Sequence, residues 1–190
     1  MPFEETDGHI ELFSGATYAP GSDHTWSIID IAHSLANQCR YTGHSRHFYS
    51  VAEHSILCSM LAEELGYCDP FEALMHDAHE SVISDMAAPW KPHLSDYRGA
   101  ERVAEGHLRA HYDLPDPVTL GCKKVDYLAL FIEAYYLMHS KGEGWSDPLN
   151  LRVEALKLVK REGWKLPLLE PSLAKTTFIE RYRAVKPSGK

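Results

Sequence analysis

The chain has 190 residues, 44% hydrophobic and 24% charged. That length fits a single domain over residues 1–190, and the composition excludes a fibrous repeat or long disorder. Lys and Arg total 19 against 27 Asp and Glu, a net charge of −8, so the surface repels polyanions and a nucleic-acid polymer is disfavoured as partner. The acidic start, Met1-Pro2-Phe3-Glu4-Glu5, lacks the basic region and apolar core of a signal peptide. No apolar run approaches the ~18 residues of a membrane span, so a cytoplasmic protein with no membrane partner is expected. The four cysteines, Cys39, Cys58, Cys68 and Cys122, show no C-x-x-C spacing and read as free thiols without assigned function.

Residues 8–24 are rich in Gly, Pro, Ser and Thr, with Ile10, Leu12 and Tyr18 alternating, which predicts a loop with a short strand or hairpin. Everything after it reads as helix. Ser27, with Asp30 three residues on, resembles an N-cap, and the helix should stop near Arg40. Ser50 and Glu53 form a capping box for a second helix that runs to Gly66. Asp69-Pro70-x-Glu72 starts a third, predicted to end before Ala88-Pro89. Helical spacing predicts a fourth helix over 96–112 and a longer one over 117–140. Pro148 opens another that closes at Gly163, and Pro171 starts the last, through Tyr182. The sum is an all-α bundle of about seven helices.

Chemistry concentrates in the third helix. A His-Asp pair such as His76-Asp77 occurs about 0.7 times by chance in a chain with twelve His, so the dipeptide alone proves nothing. Glu80 lies four residues past His76 and three past Asp77, which puts all three on neighbouring helical positions inside an apolar segment. Burying that much polarity without a metal or partner is expensive. His54 sits on the apolar stripe of the second helix with Val51, Cys58 and Leu61, and Asp126 on that of the long helix, with Glu133 seven residues on along the same face. His54, His76, Asp77 and Asp126 can then meet between three helices as a two-nitrogen, two-oxygen metal site with positions open for water and substrate.

Ala52-Glu53-His54-Ser55, His76-Asp77-Ala78-x-Glu80 and Val125-Asp126 resemble the H…HD…D signature of the HD-domain metal-dependent phosphohydrolases. The nearer likeness is to the nucleotidase branch, which includes bacterial 5′-deoxynucleotidases and phage dATP triphosphohydrolases. Asp30-Ile31-Ala32-His33-Ser34-Leu35, Cys39-Arg40-Tyr41-Thr42-Gly43-His44 and Tyr49 to His54 look especially like phage-borne members. The resemblance spans residues from about 26 to 140.

It implies that His54, His76, Asp77 and Asp126 ligate the metal, with Asp77 and Glu80 catalytic and Glu80 acting on the leaving group or attacking water. It also implies substrate contacts: Arg40 on the nucleotide phosphate, Asp85 near the sugar, and Tyr41 in the place of an aromatic residue. Arg46, His44 or Lys91 can extend the cationic patch toward a longer phosphate tail. Zinc, cobalt and manganese all suit the donor set, as do iron and magnesium. A homo-oligomer is implied by resemblance alone. The function expected is hydrolysis of a deoxynucleotide at its 5′ phosphate ester, most specifically dATP to deoxyadenosine and triphosphate, with a 5′-deoxynucleotidase on monophosphates as the near alternative. A di-iron oxygenase and a non-catalytic nucleotide-binding protein are the rival classes.

Each residue also has a bland reading. His54 and Asp126 can be hydrogen-bonded core polar groups, Glu80 a salt-bridge partner and Arg40 a charge at a helix C-terminus. His79 reads as solvent-facing, and His33 and His44 as phosphate contacts or packing groups. Trp26 is a candidate for base contact.

Overall fold

A computed structural model describes residues 8–21 and 24–187; the acidic start lies outside them. An antiparallel pair opens the described chain, β1 (Ile10–Glu11) with β2 (Thr17–Tyr18), Ile10 facing Tyr18. There follow α1 (Ile28–Asn37), α2 (Val51–Leu65), α3 (Pro70–Met75), α4 (Glu80–Ile83), α5 (Ser95–His111), α6 (Leu120–Leu137), α7 (Arg152–Lys157) and α8 (Pro171–Val185). The expected all-α bundle behind a short hairpin is the observed fold.

The boundaries follow from local chemistry. Ser50 accepts from the Glu53 amide, and the Glu53 carboxylate reaches back to the Ser50 amide at 2.9 Å, completing the capping box. Gly66 ends α2 in the left-handed region at φ 67°, where a side chain would be strained. Ser50→Ala should cost about 1 kcal/mol, read as a lower midpoint in denaturant unfolding.

α2 is the central helix and contacts α1, α3, α6 and α8. Two hydrophobic clusters flank it. One joins Ile31, Leu35, Ala52, Leu74 and Phe178 from α1, α2, α3 and α8, and the other joins Leu57, Leu61, Leu128, Ile132 and Leu158 around α6 and α7. With partners on every side, α2 buries each residue from Val51 to Ser59, so any polar side chain in that run must find its partner inside the protein.

Three expectations need correction. The predicted third helix is two pieces, broken over residues 76–79 and ended at Ile83. Across the break, Ala78, Glu80, Ser81 and Val82 donate to carbonyls three residues back rather than four, a tighter turn that re-aims the side chains. The helix expected from Pro148 begins at Arg152, because Asn150 is left-handed at φ 56° and Asp147 caps the Leu151 and Arg152 amides. Ser27 stands at the N-cap of α1 as expected but makes no side-chain cap bond, and the Asp30 carboxylate instead takes the Ser14 amide and hydroxyl at 2.7 and 2.8 Å and ties the hairpin to the bundle.

Candidate metal centre

The site lies where α2, the 76–79 break and α6 converge. His54, on the buried second turn of α2, has its Nδ1 2.6 Å from Glu133 Oε1. Glu133 is ionised: burial pushes its carboxyl up, but the Arg40 and His54 charges outweigh that and hold it at about 2. A carboxylate only accepts, so His54 donates from Nδ1 and turns Nε2 toward Asp126 Oδ1 at 3.2 Å and Asp77 Oδ2 at 3.5 Å. His76 is fixed the same way, since its Nδ1 lies 2.8 Å from the Ala73 carbonyl. Its Nε2 stands 3.1 Å from Asp77 Oδ2, yet is buried and makes no hydrogen bond.

Those spacings suit ion pairing and also fit ligation. Donor atoms about 2.0–2.2 Å from one ion lie roughly 3.0–3.5 Å apart, and the three nitrogen–oxygen separations fall in that range. Each imidazole has its second nitrogen anchored to an acceptor, as in metal-binding histidines. Burial depresses both imidazoles, and Arg40 adds to that at His54, but Cys58 and Glu133 at His54 and Asp77 at His76 more than offset it and raise both above their ordinary value. Asp77 is held well below the usual range despite burial, chiefly by His76. The centre therefore attracts cations. Asp126 is half-exposed, leaving the cluster open on one side. Cys58 Sγ lies 3.6 Å from His54 Nε2, and burial pushes that thiol up to about 11. His54, Cys58, His76 and Asp126 form a group able to hold a metal ion.

Glu133 joins this centre to Arg40. Its second oxygen accepts from Arg40 Nε at 3.2 Å and from the Tyr41 hydroxyl at 2.5 Å. Tyr41 and Thr42 are left-handed at φ 57° and 54°, a conformation costing L-residues roughly 1–2 kcal/mol each. The buried hydrogen bond to Glu133 and packing of the Tyr41 ring near Trp145, 5.9 Å between centroids, oppose that cost. Gln38 performs a similar service on the other side. Its amide nitrogen donates to the Glu80 carbonyl at 3.0 Å, and its oxygen accepts from the Asp85 amide at 3.1 Å. Ser84, at φ 74°, turns the chain between them.

Glu80 is buried, and its Oε2 has no hydrogen-bond partner. Burial, then Asp77 and Asp85, push its carboxyl well above the usual range, against the pull of Arg40 and Lys91. A carboxyl raised in this way is better suited to hold and give up a proton than an ordinary glutamate. Lys91 Nζ lies 4.0 Å from Glu80 and 2.6 Å from Glu101.

A cavity of about 230 Å³ opens on the centre, lined by His76, Asp77 and Asp126 with His79, Lys91 and Lys123 among others. A larger one of about 400 Å³, between the hairpin and α1, includes Trp26 and His33 but none of His54, His76, Asp77 and Asp126. The structure thus brings His54, His76, Asp77 and Asp126 together, with Lys91 beside Glu80. Arg40 and Asp85 stand within electrostatic reach, since both act on the charge of Asp77 or Glu80. Other residues are engaged in different contacts. Arg46 is exposed and paired with His139 at 3.1 Å, Tyr41 is committed to Glu133, His44 is exposed, and His33 stacks on Phe13 at 3.9 Å. Trp26 is buried against Tyr18 and His24. His79, read as solvent-facing, is buried, because α5 closes over the break that carries it. Glu133, Gln38 and Lys123 had no role in the sequence reading; only Glu133 carried a signal, its place seven residues from Asp126 on one helical face.

No family model matches the chain. It is 36% identical over 176 residues to the uncharacterized protein YfdR of Escherichia coli (strain K12), covering 91% of this chain and 93% of that one. The uncharacterized protein RCAP_rcc00048 of Rhodobacter capsulatus is 33% identical over 150 residues, covering 69% of this chain and 76% of its own. No helix among the described residues is long and apolar enough to cross a membrane.

Proposed function

For this chain, which belongs to the family of the Escherichia coli protein YfdR, we propose a metal-dependent phosphohydrolase of the HD-domain type that cleaves a deoxynucleotide at its 5′ phosphate ester. One observation carries the reading: two histidine Nε2 atoms, each with its Nδ1 anchored, converge with Asp77 and Asp126 at ligand spacing beside a buried Glu80 whose carboxyl is pushed well above its usual range. A divalent ion such as zinc, cobalt or manganese, held by His54, His76, Asp77 and Asp126, would supply a water acidified toward neutrality and charge to offset the phosphate.

The chain's own residues do the rest. Arg40, with Nε held by Glu133, directs its terminal nitrogens at a phosphate oxygen, where the planar guanidinium matches two acceptors. Asp85 would contact the sugar, as the resemblance implies. Glu80 gives its proton to the departing 5′ oxygen as the bond to the α-phosphorus breaks. Lys91 and Lys123 line the cavity and add the positive charge that a long phosphate tail needs, which favours dATP hydrolysis to deoxyadenosine and triphosphate over monophosphate hydrolysis. The likeness to nucleotidases that assemble from several copies extends the proposal to a homo-oligomer acting in the cytoplasm.

A screen of dNTPs, NTPs and dNMPs against several divalent ions, with products identified, tests this; release of triphosphate from dATP is expected, and inactivity on every nucleotide contradicts it. Glu80→Gln should lower the rate by about 10²–10⁴-fold while bound metal stays constant. Only the protonated acid can donate, so the wild-type rate should fall as pH rises through the elevated Glu80 value. A Glu80→Gln variant as fast as wild type removes Glu80 from the reaction.

A further inference from the structure

Two thiols that the proposed chemistry does not use meet beside the metal centre. Cys68 lies in the loop between α2 and α3, and Cys122 in the first turn of α6. Gly121 lets these segments touch: a Cβ there would stand 1.9 Å from the Tyr67 carbonyl oxygen and 3.2 Å from Cys68 Cβ. The two sulfurs and a Glu72 carboxylate oxygen all lie within 4.8 Å of one another.

Glu72 is already committed, since its two oxygens accept from the Thr119 amide at 2.9 Å and hydroxyl at 2.8 Å. That leaves two sulfurs, too few for a structural metal, which takes about four protein ligands. Cys68 is half-buried, while Cys122 is buried but borders the same cavity as His76 and Asp126.

We propose that Cys68 and Cys122 are a dithiol oxidation site that hydroperoxides convert reversibly to a disulfide. The Cys68 thiolate attacks one peroxide oxygen and the O–O bond breaks, giving a sulfenic acid and hydroxide. The Cys122 sulfur then attacks the Cys68 sulfur, the S–O bond breaks and water leaves, so two thiols are oxidised and one peroxide is reduced. Exposure favours this order, since half-buried Cys68 meets a peroxide in solvent before buried Cys122 does. The bond would fasten the segment entering α3, which leads to His76, to α6 one turn before Asp126.

The test is peptide mapping of the full chain, reduced and then treated with hydrogen peroxide, under non-reducing conditions. A linked Cys68–Cys122 peptide, lost on adding dithiothreitol, is expected, with buried Cys58 unmodified. In Cys122→Ser the sulfenic acid should accumulate at Cys68, with about tenfold more dimedone adduct than wild type. In Cys68→Ser, Cys122 should stay reduced. A wild-type chain whose Cys68 proceeds to sulfinic acid while Cys122 stays a thiol overturns the proposal, as does pairing of either cysteine with a different one. Mapping needs no nucleotide, so its failure is distinct from failure of the hydrolase reading.

Discussion

Asp77→Ala is expected to lower nucleotide hydrolysis by about 10³-fold or more and to leave the purified chain with far less divalent metal. Asp77 reaches both imidazoles, with its Oδ2 3.1 Å from His76 and 3.5 Å from His54. Removing it opens the ligand set and takes away the charge that most directly raises His76. The fold should survive, because the Asp77 side chain is partly exposed. Metal content by elemental analysis, rate with added ion and a thermal melt together check this. An Asp77→Ala chain that keeps its metal and its rate removes Asp77 from the centre.

Glu133→Gln should weaken metal binding by about 10–100-fold, the usual consequence of losing the group that orients a ligand histidine. It should also destabilise the chain by about 3 kcal/mol, since it leaves the Arg40 charge buried without its partner. The carboxylate serves three donors at once, Arg40 Nε, the Tyr41 hydroxyl and His54 Nδ1. An amide of the same shape has one acceptor oxygen and presents hydrogens to the remaining donors. The sign with pH follows from the depressed carboxyl: its contribution is fully present above the ordinary Glu range and is lost as pH falls from there toward about 2. Denaturant unfolding across that range should show the wild type losing stability that the Gln variant never had. Equal stability at neutral pH, with equal metal affinity, contradicts this role for Glu133.

What the sequence disclosed divides by range. The Ser50-Glu53 box, the Gly66 stop and Pro70 are local signals, and each marks a real boundary. His54 was recognisable because it breaks an apolar stripe, and His76, Asp77 and Glu80 because ionisable groups crowd an apolar segment. The break at 76–79 was not legible, since its residues keep near-helical angles and only their hydrogen-bond partners change. His79 looked exposed because helical spacing on one segment says nothing of α5 packing over it. Glu133 lies on the face of Asp126, but its tie to Arg40 spans 93 positions in the chain, and only the folded bundle makes that pair. Arg46 shows the reverse: proximity in sequence to Arg40 suggested a shared phosphate, whereas the left-handed turn between them leaves Arg46 beside His139.

The central claim is attack by metal-activated water on the α-phosphorus of a deoxynucleotide. Hydrolysis of dATP in ¹⁸O-enriched water, with manganese or cobalt added and products resolved by mass spectrometry, tests it most directly. The account predicts deoxyadenosine without label and triphosphate carrying one ¹⁸O. Label in the nucleoside, products of dAMP and pyrophosphate, or no hydrolysis with any ion would contradict it.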